Sequence, residues 1–233
     1  MLLVIPFTWH AIFLTGSRGG LLGLIAVCGY VILKAKRVLL TAVLVPAFTI
    51  ALVWQGGPMR QRGASIAEFE EDTSALGRLN AWQTGYEMMK DHPVTGVGIG
   101  NFMVAYRSYS QTRVRVAHSS VIQLGAETGV VAAVAYLLVF WNIYSQRRKV
   151  RKGRWGTASP LMETLGNATE CSLLGFFVCS LFLNLATFEA LYYLLVVRAC
   201  WYHLRARAGA AQGSTAARPQ VVEGSEVGAV LGV

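Results

Sequence analysis

"FLTGSRGGLLGLIAV", residues 13–27, sets an arginine between two apolar runs. A guanidinium stays charged, so Arg18 needs water, a counter-charge or an interfacial position rather than hydrocarbon. The stretch therefore reads as the turn between two membrane helices, and the rest of the chain can be ordered around it. The composition agrees: 54% of the residues are hydrophobic and only 14% charged, against about 25% charged in a soluble domain.

Apolar runs recur at 1–14, 21–33, 38–54, roughly 121–144, roughly 168–187 and 188–202. The predicted fold is all-α, a polytopic helical membrane protein of about five to six spans. Some runs fall short of the ~20 residues that cross a bilayer, so the second and sixth fit short or tilted spans or hairpin arms. The first run reads as a half-length span, with no basic start and no small-residue cleavage site, so it is not a signal peptide. A soluble bundle is disfavoured, because six such runs leave too little polar surface.

The net charge of +9 sits beside the spans: "KAKR" at 34–37, "RRKVRKGR" at 147–154 and "RACWYHLRAR" at 198–207. Placing all three in the cytoplasm satisfies the positive-inside rule and turns "TGSRGG" (15–20) outward. Four segments follow: N-terminal transmembrane helices (1–54), a long exterior loop (55–118), C-terminal transmembrane helices (119–204) and a disordered cytoplasmic tail (205–233). Basic clusters without an interleaved aromatic platform argue against nucleic acid; membrane lipids are the expected surroundings. Cys28, Cys171, Cys179 and Cys200 lie inside apolar runs without metal-ligand spacing and read as small core residues. No metal or other cofactor is expected.

The exterior loop is large enough to build a site. "GGPMRQRGASIAEFEEDTSA" (56–75) reads as irregular and exposed. "TSALGRLNAWQTGYEMMKDHP" (73–93) reads as a helix capped by Thr73 or Ser74 and ended by Pro93. Leu79, Trp82, Tyr86 and Met89 form its expected apolar face, toward the membrane. Gly96, Gly98 and Gly100 mimic a dinucleotide fingerprint, but no strand precedes them; a tight turn against a helix is the expectation. Arg107, Arg113 and Arg115 approach His118, where the chain re-enters the membrane, and Gln123 and Glu127 lie one to two turns further on. Taken singly, His118 also reads as a helix cap and Arg113 and Arg115 as interfacial anchors. Together, Arg18, Arg78 and His118 come from three segments that the topology brings to one face. Guanidinium groups suit a dianion, and a neutral imidazole can take a proton near pH 7.

Three stretches carry a resemblance: "TGSRGG" (15–20), "GRLNAWQTGYEMMKDHPVTGVGIGNF" (77–102) and "AHSSVIQLGAETG" (117–129). In order and spacing they resemble the C-terminal half of the O-antigen ligase and polymerase superfamily of membrane glycosyltransferases. The resemblance implies a GT-C-like bacterial inner-membrane enzyme, metal-independent and inverting, with a periplasmic site. It implies a glycan on undecaprenyl diphosphate as donor, and a glycan, lipid A-core or protein hydroxyl as acceptor. Carried over, Arg18 and Arg78 hold the diphosphate and His118 is the base, with Ser17, Arg115, Gln123, Glu127 and Glu189 as supporting residues. Glu189 matches the family's late-span acid better than Glu170. Such proteins have more spans than this chain, so a part before Met1 is expected. Ligase, polymerase and protein O-oligosaccharyltransferase remain open, as does an inactive membrane fragment. A transporter of a polyprenyl-linked or anionic substrate would place charges mid-span, whereas here the charges are expected at the span ends.

Overall fold

The computed structural model of the chain describes residues 4–15, 17–35, 67–151 and 159–216. The described elements are all helices: α1 (Val4–Leu14), α2 (Arg18–Ala35), α3 (Ala67–Asp91), α4 (Phe102–Tyr109), α5 (Ser120–Thr128), α6 (Val130–Arg151), α7 (Pro160–Phe182) and α8 (Glu189–Ala216). The all-α expectation holds among these residues. The apolar run 38–54 and the loop up to residue 66 lie outside them. α7, at 23 residues, is long and apolar enough to cross a membrane; Gly19–Lys34 and Val130–Gln146 are apolar but shorter.

Helix ends follow local chemistry. Ser17 caps α2: its Oγ accepts from the Gly20 N–H at 3.1 Å, which leaves Arg18 as the first helical residue. Ser159 caps α7 by accepting from Met162 N–H at 3.3 Å, with Pro160 at the first position and Glu163 in the first turn. α3 stops at Asp91 because Pro93 disfavours helical geometry in the residue before it.

α2 and α7 pack through small residues. Gly19 and Gly23 face Phe182, Leu183 and Cys179, and a Cβ on Gly175 would lie 2.6 Å from Val27 Cγ2. Glycines four apart let two helix backbones approach this closely. α8 returns along α7, so Arg18, Phe182 and Glu189 mark one pole and Lys34, Asn167 and Arg198 lie toward the other.

Near that second pole a buried polar junction ties the helices. Glu170 accepts from Tyr30 Oη at 2.5 Å and Lys34 Nζ at 3.3 Å, and pairs with Arg198 Nη2 at 3.6 Å. Arg198 also donates to Gly166 O at 2.8 Å and Tyr202 Oη at 2.9 Å, with its guanidinium 4.6 Å from the Trp201 and Tyr202 rings. Beside the junction, α6 stands off α7 and leaves an apolar cavity of about 540 Å³, which Tyr30 and Glu170 line together with Phe140 and Phe177.

Five expectations are corrected. Charges do not gather only at helix ends: Glu170 and Arg198 lie mid-helix, and mutual pairing is what makes their burial tolerable. The fourth run is not one helix, because Gly129 (φ 92°) breaks it into α5 and α6. α3 starts at Ala67, so Thr73 and Ser74 are inside it rather than capping it. α8 runs on to Ala216, into the stretch read as a disordered tail. Cys200 is exposed, while the other three cysteines are half-buried in helix seams.

Gly129 gives the first prediction. A Cβ there would overlap the Val94 carbonyl, and its φ is one that glycine tolerates. Gly129→Ala is expected to cost about 2–3 kcal/mol, read as a lower melting temperature of the purified protein in detergent.

Candidate functional site

α3, α4 and α5 enclose a small core of Ala81, Met88, Phe102, Tyr106, Ala117 and Ala126, all fully buried. Burying each of the large side chains is worth about 2 kcal/mol. The inner face of α3 is therefore Gly77, Ala81, Thr84, Gly85 and Met88, distinct from the stripe expected to face the membrane. Of that stripe, Leu79 (56% exposed) and Tyr86 (64%) point outward. Small residues win because α5 comes so close: a Cβ on Gly85 would meet Ile122 Cγ2 at 2.6 Å.

The glycine-rich turn closes the far end of α5. Gly96, Gly98 and Gly100 all have positive φ (63°, 98° and 77°). Val97 N–H donates to Ala126 O at 2.8 Å and Gly98 N–H to Glu127 O at 3.0 Å, satisfying carbonyls that a helix end leaves open. Gly100 N–H donates to Glu127 Oε2 at 3.0 Å, and Gln123 Nε2 to Glu127 Oε1 at 2.9 Å. The turn against a helix is as expected. Glu127 and Gln123 brace it, with Glu127 about 10 Å along α5 from its start.

The opposite end of α5 carries His118. Residues 113–117 have no regular secondary structure, and among the described residues His118 is the one non-glycine with positive φ (48°). That conformation costs of order 1–3 kcal/mol and persists where neighbours over-determine it. They do so on both sides. Trp82 Nε1 donates to Ala117 O at 2.7 Å. Ser120 Oγ donates to Leu183 O at 2.9 Å and accepts from Leu185 N–H at 2.7 Å. His118 itself is exposed, and Ser119 rather than His118 occupies the cap position of α5.

Partial burial and the positive charges of Arg78 and Arg115 push the His118 imidazole below its usual range. Both effects favour the neutral, proton-accepting imidazole. Arg78, on α3, is half-buried, and so is Arg115, whose guanidinium lies over Gly77. The Arg18 side chain lies outside what the structure describes, but its backbone is placed. The adjacent Gly19 abuts Leu183, whose carbonyl takes the Ser120 hydroxyl. One residue thus joins the start of α2 to the start of α5. Glu189, exposed at the first position of α8, lies at this same pole; Ser17 serves as the α2 cap.

Sequence reasoning missed Gly77 and Trp82 as site-building residues. The signal was present in the spacing Gly-Arg-x-x-x-Trp: Gly77 accommodates Arg115, the charge of Arg78 acts on His118, and Trp82 holds Ala117.

Among the described residues this is an all-helical frame with a histidine and two arginines gathered at one pole. The model of the O-antigen ligase family matches residues 2–137, more than half of the chain, and the chain belongs to that family. Its members are membrane proteins and ligase-type glycosyltransferases. A comparison with curated proteins found no match.

Proposed function

We propose that this chain transfers a glycan from undecaprenyl diphosphate to an acceptor hydroxyl at the periplasmic face of a bacterial inner membrane. The observation that carries the reading is the convergence of His118 with Arg78 and Arg115 at the start of α5, to which Leu183 joins the start of α2, and so the backbone of Arg18. Arg18 and Arg78 hold the diphosphate through forked, charge-assisted hydrogen bonds. His118 takes the proton of the acceptor hydroxyl. The acceptor oxygen attacks the anomeric carbon in line, the bond from that carbon to the phosphate oxygen breaks, and configuration inverts. The electron pair leaves with undecaprenyl diphosphate, where the arginines stabilise the developing charge.

The directions of the described helices support this. α2 runs from Arg18 to Lys34, α7 antiparallel to it and α8 back again, so Lys34, Arg198 and Arg205 lie toward the pole away from His118. That distribution fits a cytoplasmic basic side and a periplasmic site. α6 and α8 expose Val131, Trp141, Tyr193 and Val196, side chains suited to lipid.

The test is transfer by purified protein from an undecaprenyl-diphosphate glycan to lipid A-core, glycan or peptide acceptors. Arg18→Lys is expected to lower kcat/KM about tenfold or more, because a point charge loses the fork. Full activity in Arg18→Lys would leave only a charge requirement. No transfer to any acceptor class would remove the reading.

A further inference from the structure

A helix interior is a poor place for glycine, which costs about 1 kcal/mol there relative to alanine. Gly77 is nevertheless in α3, buried, and next to Arg78. Its surroundings explain it. A Cβ at 77 would lie 2.7 Å from Arg115 Cζ and Nε and 2.8 Å from Nη1. The guanidinium therefore lies flat on α3 in the space a side chain would fill. Arg115 is three residues before His118, and Ala117 between them is pinned by Trp82. Packing thus fixes a second guanidinium near Arg78 and the imidazole of His118, where a freely moving side chain would pay more entropy to bind.

We infer that Arg115 is a further diphosphate-binding residue and that Gly77 is the positioning residue that seats it. The inference rests on the diphosphate reading above. Arg78 and Arg115 then form a two-guanidinium grip held within residues 76–129 by the α3–α5 core, to which α2 adds Arg18. Two forks match the two phosphates of a diphosphate better than one.

The substitution at 77 separates function from folding. The atoms that an added methyl meets are the far end of a flexible side chain. Gly77→Ala therefore displaces the guanidinium without opening the core, and alanine favours the helix. Binding of inorganic pyrophosphate to the full-length protein in detergent is measured by titration calorimetry, with thermal melting alongside. Wild type is expected to bind, Arg115→Ala to bind about ten- to a hundredfold more weakly, and Gly77→Ala about tenfold more weakly with an unchanged or higher melting temperature. The double variant is expected to be no weaker than Arg115→Ala alone, because both changes remove the same interaction. Wild-type affinity in Arg115→Ala, with loss in Arg78→Ala, would overturn the inference and leave the diphosphate reading standing. Wild-type affinity in Gly77→Ala would overturn the positioning role. Failure of wild type to bind pyrophosphate at all would remove the diphosphate reading and this inference with it.

Discussion

His118→Ala is expected to lower transfer by about a hundred- to ten-thousandfold, the range that general bases contribute, while leaving the protein folded in the membrane. The side chain is exposed and braces none of the small core, so its removal leaves α3, α4 and α5 packed. The same residue sets a pH signature. Partial burial, Arg78 and Arg115 hold the free imidazole below the usual 6.5, so the neutral, proton-accepting form persists to a pH below that value. Activity is then level through neutral pH and falls as the pH drops through the lowered pKa. A bound diphosphate compensates the two guanidinium charges and favours the imidazolium. The acid limb of kcat should therefore lie at higher pH than that of kcat/KM, since the two report the complex and the free enzyme respectively. Coincident limbs would show that no anion binds beside His118.

Glu170→Ala is expected to destabilise the bundle by about 3–5 kcal/mol. The carboxylate takes hydrogen bonds from Tyr30 and Lys34 and faces Arg198, which is only 3% exposed. Removing it leaves a buried guanidinium without its counter-charge, a larger penalty than the pair's own contribution. Glu170→Gln keeps the shape and one acceptor and should lose less. Both variants should keep transfer activity per folded molecule, because the junction lies away from His118. A melting shift worth less than about 1 kcal/mol in Glu170→Ala would contradict the structural role. Normal folding with abolished transfer would place Glu170 in the chemistry instead.

The described helices were largely legible in the sequence, because apolar runs and a Gly-Arg-x-x-x-Trp helix before a glycine turn are strong local signals. It did not disclose which face of α3 is inward. The apolar period marks Leu79 and Tyr86 as one face, but not the small residues Gly77, Ala81 and Gly85 that the close approach of α5 demands on the inward one. The buried Glu170–Arg198 junction was equally hidden, since the partners are far apart in the chain and each reads alone as a helix-end charge. Gly129 was visible as a residue but not as a break, because the apolar pattern continues across it. The glycine turn was legible as a turn, while its contact with the end of α5 depends on a tertiary neighbour.

The most direct measurement is a cryo-electron-microscopy structure of the full-length protein bound to an undecaprenyl-diphosphate-linked glycan. The expected map has the diphosphate oxygens within hydrogen-bond distance, ~3 Å, of the Arg18 and Arg78 guanidinium groups, with the anomeric carbon turned toward His118. A diphosphate bound elsewhere, or Arg18 facing the opposite side of the bilayer from His118, would contradict it.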